Sequence, residues 1–331
     1  MRKFVLTIMA VIAMMICDKA ALSAQDYIYW GNPRNYLDNQ AREAFEAVEQ
    51  ALAAYPPEVQ CNVARRNALI TLDMLLHDTS NDKSQVLFDF FKRRFTQVAE
   101  QLENGPAPQN DELWIYKMYN DGFILRSSSA TVAIDLIRGG GATGRHFISD
   151  TLIRRIADCC DLLLITHSHG DHFDAGVAQL FKQEGKNVFT WADTDPVGVK
   201  EVSLKIIPGH QDDMPNNIYH ITFSEGMSVA HTGDQYNSQD IEWISHLRES
   251  YKTDVLLINC WTMKLQETIA GFNPKYVITG HENELEHSID HREAYWMTLR
   301  KMEQTHYPNV LMTFGEKWSL RKTAEIKDLS R

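Results

Sequence analysis

The sequence predicts an α/β fold in which two sheets carry helices on their outer faces, with a small helical region ahead of them. Three observations point to it: helical periodicity over a long early stretch, a group of short hairpin-like strands after it, and strand–helix alternation to the end of the chain. With 331 residues, 44% hydrophobic and 23% charged, the chain can bury a large core, which excludes disordered and collagen-like classes.

Taken in order, Arg2 and Lys3 precede an apolar run over 4–16, and Ala21-Leu22-Ser23-Ala24 supplies small residues for cleavage. Residues 1–24 therefore read as an export signal, its apolar run too short to span a bilayer. Cys17 closes that run and is a candidate lipid anchor. The mature chain is expected in the periplasm or secreted, either free or as a lipoprotein. Helical spacing then covers about 38–105. Ala44, Val48, Ala51 and Leu52 form the stripe of a first helix. A second is expected over 58–77 and a third over 83–102, the latter with Phe90, Phe91, Phe95 and Val98 on one face. Gly105-Pro106-Ala107-Pro108 ends the region. We expect a helical part over 25–110, a candidate for dimer formation, and a second part over 111–331.

In the second part, 113–119 and 122–125 flank Asn120-Asp121, a hairpin signal, and 131–136 reads as a third strand. Strands are expected at 162–166, 188–191, 204–208, 219–223, 227–231, 255–260 and 276–279. Helices alternate with them at 175–183, 239–248, 264–270 and 292–304, and a strand near 310–314 closes the chain. Cys61, Cys159, Cys160 and Cys260 are too few for a disulfide framework and read as packing residues.

Twelve of the thirteen histidines fall between 146 and 306. The densest group is His167-Ser168-His169-Gly170-Asp171-His172, between an apolar strand and a helix. An extended segment puts His167 and His169 on one side, while Asp171 and His172 turn toward the helix. Imidazoles with a carboxylate suit zinc, iron or manganese. His210, Asp234 and His281 each follow an apolar strand, and Asp135 ends an earlier one, so the exits of several strands bring candidate ligands to one sheet edge. His231, beside Gly233-Asp234, is a candidate proton donor. His287 and His291 lie in an acidic stretch after His281 and compete with it, whereas His220 sits in mid-strand and reads as a packing residue.

This pattern resembles the metallo-β-lactamase fold superfamily, whose HxHxDH metal motif is matched by 167–172, with His210, Gly233-Asp234 and Gly280-His281 following in the family's order over about 111–320. The resemblance implies a four-layer αββα sandwich. It implies one metal held by His167, His169 and His210, and a second by Asp171, His172 and His281, with Asp234 bridging the two and Asp135 buttressing the loop. Two divalent ions are implied, zinc by default, with manganese or iron as alternatives. The reaction class is metal-assisted hydrolysis of a small-molecule substrate by an activated hydroxide, with Asp171 orienting the water and passing on its proton. The pattern looks closest to the branch with ascorbate-lactone hydrolases and lipid phosphodiesterases. Ester or lactone cleavage is therefore expected, with phosphodiester cleavage, or metal binding without turnover, as alternatives. The best-known β-lactam hydrolysers differ at His172 and Asp234. A net charge of −11 without a basic run argues against a nucleic-acid partner.

Overall fold

A computed structural model describes residues 31–141, 144–195 and 198–322, so the export segment and Cys17 lie outside the described residues. Each opening helix starts at a local signal. In α1 (Pro33–Ala54) the proline takes the first turn, where its missing N–H costs nothing, and Asn32 Oδ1 accepts from the Asn35 N–H at 3.1 Å. Helix α2 (Val63–Leu76) begins later than its apolar spacing suggests, because Asn62 is its cap, accepting from the Arg65 N–H at 2.9 Å. Helix α3 (Gln85–Asn104) is capped by Ser84 and buries Phe90, Phe91 and Phe95.

The chain divides into two units, Met1–Glu46 and Ala47–Arg331. The first is described only over 31–46, the opening turns of α1, which carry an Arg34–Asp38 ion pair at 2.9 Å. Helices α2 and α3 belong to the second unit, together with the sheets. Fully buried Arg65 of α2 pairs with Glu316 and donates to Leu311 O at 2.8 Å, while Arg94 of α3 donates to Phe314 O at 2.7 Å.

The second unit has two six-stranded sheets. The first contains β1 (Glu112–Lys117), β2 (Phe123–Arg126), β3 (Thr131–Ile134), β4 (Leu162–Leu164), β5 (Asn187–Phe189) and the final β12 (Lys317–Arg321) beside β1. The second contains β6 (Gly198–Val199), β7 (Val202–Gln211), β8 (Met214–Phe223), β9 (Ser228–His231), β10 (Val255–Asn259) and β11 (Tyr276–Gly280), in order 11-10-9-8-7-6. Their facing sides share one core, in which Ile115, Phe123 and Leu164 meet Ile221, Val229 and Leu257. Helices α4 (Asp150–Cys159) and α5 (Ala175–Gln183) cover the first sheet beside α3. The second is covered by α6 (Ile241–Ile244), α7 (Leu247–Ser250), α8 (Leu265–Phe272) and α9 (Tyr295–Thr305), which bury Ile244, Phe272 and Met302 against Leu256 and Val277. The result is a four-layer αββα sandwich.

Several elements differ from the sequence reading, the short β6 among them. Helix α4 was not anticipated, although Leu152, Ile153, Ile156 and Ala157 form its buried stripe; the charged pair Arg154-Arg155 interrupts the apolar run at its centre. The helix expected over 239–248 is two single turns, α6 and α7. Residues 310–314 form no strand, and the last strand is β12, antiparallel to β1. Among the described residues no helix is long and apolar enough to cross a membrane.

Buried Asp73 on α2 starts α9, accepting the N–H groups of Tyr295 (2.8 Å) and Trp296 (3.1 Å) and the Asn283 amide (2.9 Å). Burial pushes its carboxyl up to about 6, against those hydrogen bonds. Between pH 4 and 6 the folded chain thus keeps a proton that the unfolded chain releases, and this group makes stability fall as pH rises through that window. Asp73→Asn is expected to remove up to about 1.4 kcal/mol per pH unit from that slope in urea titrations. An unchanged slope would mean that Asp73 is ionised in the folded state.

Candidate metal centre

The site forms where strands end. β4 of one sheet and the parallel strands β9, β10 and β11 of the other finish at the same edge, and the Asn217 N–H donates to Thr166 O at 2.8 Å across them. The loop after β4 carries His167, His169, Asp171 and His172, the turn after β9 carries Asp234, and His281 follows β11. Two glycines are required for the approach. Gly233 has φ +52, and a side chain there would meet Asn216 and Thr166, while a side chain at Gly280 would fall on the Asp121 carboxylate. His281 itself has φ +71, a strained conformation for a non-glycine residue.

Two groups of ligand atoms share a residue here, and a third, of Asp121, Asp135 and His231, is fully buried. Asp171, His172, Asp234 and His281 form one, and His167, His169 and Asp234 the other, each set lying within 4.8 Å, with Asp234 in both. His172 Nε2 is 3.1 Å from Asp234 Oδ1, His167 Nε2 is 3.6 Å from Asp234 Oδ2, and His281 Nε2 is 3.0 Å from Asp171 Oδ2.

The surroundings set the tautomers. Fully buried Asp135 accepts the Thr166 N–H at 2.8 Å, the Thr166 hydroxyl at 2.6 Å and His172 Nδ1–H at 2.8 Å. His172 therefore turns Nε2 toward the cluster. The Thr166 hydroxyl proton is already given to Asp135, so its oxygen accepts from His167 Nδ1 at 3.1 Å, and His167 Nε2 also faces inward. That nitrogen is buried without a hydrogen-bond partner. Inward lone pairs, an orphaned buried nitrogen and a shared carboxylate are a donor set that fits divalent cations.

The electrostatics agree. Burial and the neighbouring His172 charge push His167 down to about 3, so it is neutral at pH 7. Burial also opposes charge on His281, but Asp234 and Asp171 outweigh it and raise that ring to about 9. Asp171 and Asp234 are held well below the usual carboxylate range, because the His172 and His281 charges outweigh their burial. The carboxylates therefore demand positive charge, from imidazole protons or from metal ions that displace them.

Two of the expected site residues stand outside both groups. His210 is not brought into either group: its Nδ1 lies 3.1 Å from Asp240 Oδ2, and the amide of Gln211, one residue on, reaches Asp234 Oδ2 at 3.2 Å instead. His231 does not face the cleft as a proton donor. It is fully buried, with Nε2 donating to Asp121 O at 3.0 Å and Nδ1 accepting the Gly233 N–H at 3.0 Å, so neither nitrogen is free. His220 bonds Lys252 O, away from the cluster. His287 lines the cleft beside His281, at 5.7 Å between rings, and His291 packs on Trp261.

Sequence reasoning missed the polar support. Asn120, read only as a turn residue, donates to Asp171 O at 3.0 Å, Asn259 donates to Asp234, and Asn216 accepts the Asp234 N–H at 3.0 Å. Only the run Asn120-Asp121 stood out as polar at a strand end; Asn216, inside β8, carries no local signal.

Above the cluster lies an open cleft of about 580 Å³, walled by Gln211, Asp212, Tyr236, Trp261 and Thr262.

The chain is similar to several solved structures at low identity. Igni18, a metallo hydrolase from Ignicoccus hospitalis KIN4/I, is 17% identical, covers 64% of this chain and 100% of its own, and has a TM-score of 0.48. The metallo-β-lactamase fold protein YhfI from Bacillus subtilis is 15% identical over 63% of this chain and 100% of its own, with a TM-score of 0.44. CmlA, a diiron β-hydroxylase from Streptomyces venezuelae, is 14% identical over 66% and 55%, with a TM-score of 0.43. No curated protein matches the sequence. A family model, the β-lactamase superfamily domain, matches residues 115–281, from β1 to the last cluster histidine and just over half of the chain. By that match, the chain belongs to the β-lactamase superfamily.

Proposed function

We propose that the cleft is the active site of an exported hydrolase that cleaves an ester or lactone, using two divalent ions, zinc by default. The observation that carries the reading is the sharing of Asp234 by two ligand groups at the floor of an open cleft. Ions bound there would acidify a water to near-neutral pKa and polarise the substrate carbonyl. His167, His169 and Asp234 would hold one, and Asp171, His172, His281 and Asp234 the other. His210 keeps its Nδ1 on Asp240, which leaves Nε2 as the nitrogen available to complete the first set.

The protein's own groups do the rest. Asp171 lines the cleft, its backbone carbonyl held by Asn120 and its Oδ2 by His281, so its carboxylate is fixed where it can accept and pass on a proton. Asp135 and Thr166 fix two imidazoles before substrate arrives, so little reorganisation is left for the reaction. Export rests on the 1–24 pattern; loss of that segment on secretion from a bacterial host would support it.

The test is metal content of the purified protein, together with turnover of a lactone, an aryl ester and bis(p-nitrophenyl) phosphate, for wild type and Asp171→Ala. The expected result is bound metal and ester or lactone turnover, with turnover lost in Asp171→Ala. Turnover of the phosphodiester alone would replace the substrate class. Bound metal without any turnover would favour a binding role, and no metal after reconstitution would overturn the reading.

A further inference from the structure

We propose that the part of the substrate beyond the bond being cleaved is uncharged and hydrogen-bonding, and that Asp212 rejects substrates carrying a carboxylate or phosphate there. This rests on the hydrolase reading above and names its substrate class.

The cleft wall away from the ligand groups comes from three strand exits: Gln211 and Asp212 at the end of β7, Gln235 and Tyr236 after β9, and Asn259, Trp261 and Thr262 at the end of β10. Among the described residues that line it there is no lysine or arginine, and the one basic side chain outside the ligand groups is the imidazole of His287, beside His281. Its one carboxylate outside the ligand groups is that of the exposed Asp212. That residue is pinned in the left-handed region at φ +49, its N–H donating to Tyr236 O at 2.9 Å and its carbonyl accepting from the Asn237 amide. The backbone that carries this side chain at the cleft is therefore fixed by two turns.

Three polar atoms of the wall residues are buried without a partner: Thr262 Oγ1, Trp261 Nε1 and Gln211 Oε1. Thr262 is only 6% exposed. Leaving such groups unpaired costs stability, and a ligand toward which these side chains turn would gain affinity by pairing them. Trp261 Nε1 can only donate, Gln211 Oε1 can only accept, and the threonine hydroxyl can do either. That set matches an amide, a hydroxyl or a neutral carbonyl. The faces of Trp261 and the 43%-exposed Tyr236 offer apolar surface for the chain or ring that carries such a group.

The test compares p-nitrophenyl pentanoate with p-nitrophenyl hydrogen glutarate, which have the same acyl length but differ by a terminal carboxylate. Rates are normalised to alkaline hydrolysis. At low ionic strength kcat/KM should favour the neutral ester about tenfold, and the preference should shrink at least about threefold both in Asp212→Asn and in roughly 0.5 M salt. Asparagine tolerates left-handed backbone, so the variant keeps the turn. Equal turnover of the two esters, or a preference that ignores Asp212→Asn, would overturn the proposal. Saturation-transfer NMR with pentanamide and glutaramate reads the same selectivity without turnover. Pentanamide alone should bind wild type, and glutaramate should gain binding in Asp212→Asn. Glutaramate binding as well as pentanamide, or neither amide binding, would also overturn it. If neither ester is cleaved, the hydrolase reading fails, and the amide pair still decides the charge selectivity.

Discussion

Asp234→Asn is expected to abolish turnover, lowering kcat/KM by on the order of a thousandfold or more and removing at least one metal per chain. Asp234 is the one residue common to both ligand groups, and its two oxygens face different partners: Oδ1 is 3.1 Å from His172 Nε2, and Oδ2 is 3.6 Å from His167 Nε2. An amide keeps the shape but loses the charge, and it places an NH₂ where one of those oxygens stood. Its first consequence is electrostatic. Asp234 is the largest influence raising the His172 and His281 imidazoles, so without it the site attracts cations less. Metal analysis and steady-state kinetics on the same preparation check both halves. His220→Gln is the matched control, a histidine near the same sheet but bonded to Lys252 O and remote from the cluster; it should retain metal and turnover. Full turnover by Asp234→Asn would remove the shared carboxylate from the mechanism.

Lys117→Met is expected to destabilise the fold by about 3–5 kcal/mol, because it leaves a carboxylate buried without its countercharge. Lys117 Nζ lies 2.9 Å from Glu282 Oε2, both side chains are fully buried, and the ammonium also donates to Thr279 O at 2.9 Å. The cost comes from the stranded Glu282 more than from the lost attraction. The double variant Lys117→Met/Glu282→Leu should therefore recover much of the loss, and urea unfolding of both singles and the double measures it. If the double is as unstable as the sum of the singles, the two residues act independently. Glu282 follows His281 directly, so this pair also tethers the end of β11 to β1. The single variants are expected to lose metal more readily than the wild type.

The ligand loop was legible in the residues themselves. Three histidines and an aspartate within 167–172, between an apolar strand and a helix, are a local pattern, and strand exits at Asp234 and His281 follow from apolar runs that stop. Most strands and the three opening helices were legible for the same reason, since periodicity and caps act over a few residues. Helix α4 was lost to its charged middle, and β12 to the absence of any local cue that 317–321, rather than 310–314, pairs with β1.

Whether a strand-end histidine reaches the cluster was settled by partners far away in sequence. His210 has the same local context as His281, yet it stands outside the ligand groups, with its Nδ1 held by Asp240 and its Nε2 left available. His231 neighbours the Gly-Asp turn, yet both its nitrogens are used beneath the floor by Asp121 and Gly233. Tertiary contacts likewise decided the tautomers of His167 and His172, through Asp135 and Thr166, and the charge of the cleft wall, through the exits of three separate strands. Sequence alone determined which donor chemistry is present and near which strand ends, because covalent neighbours and periodicity establish both. Only the folded packing decided which lone pairs face one point, because hydrogen-bond geometry across two sheets depends on atoms that no sequence spacing brings together.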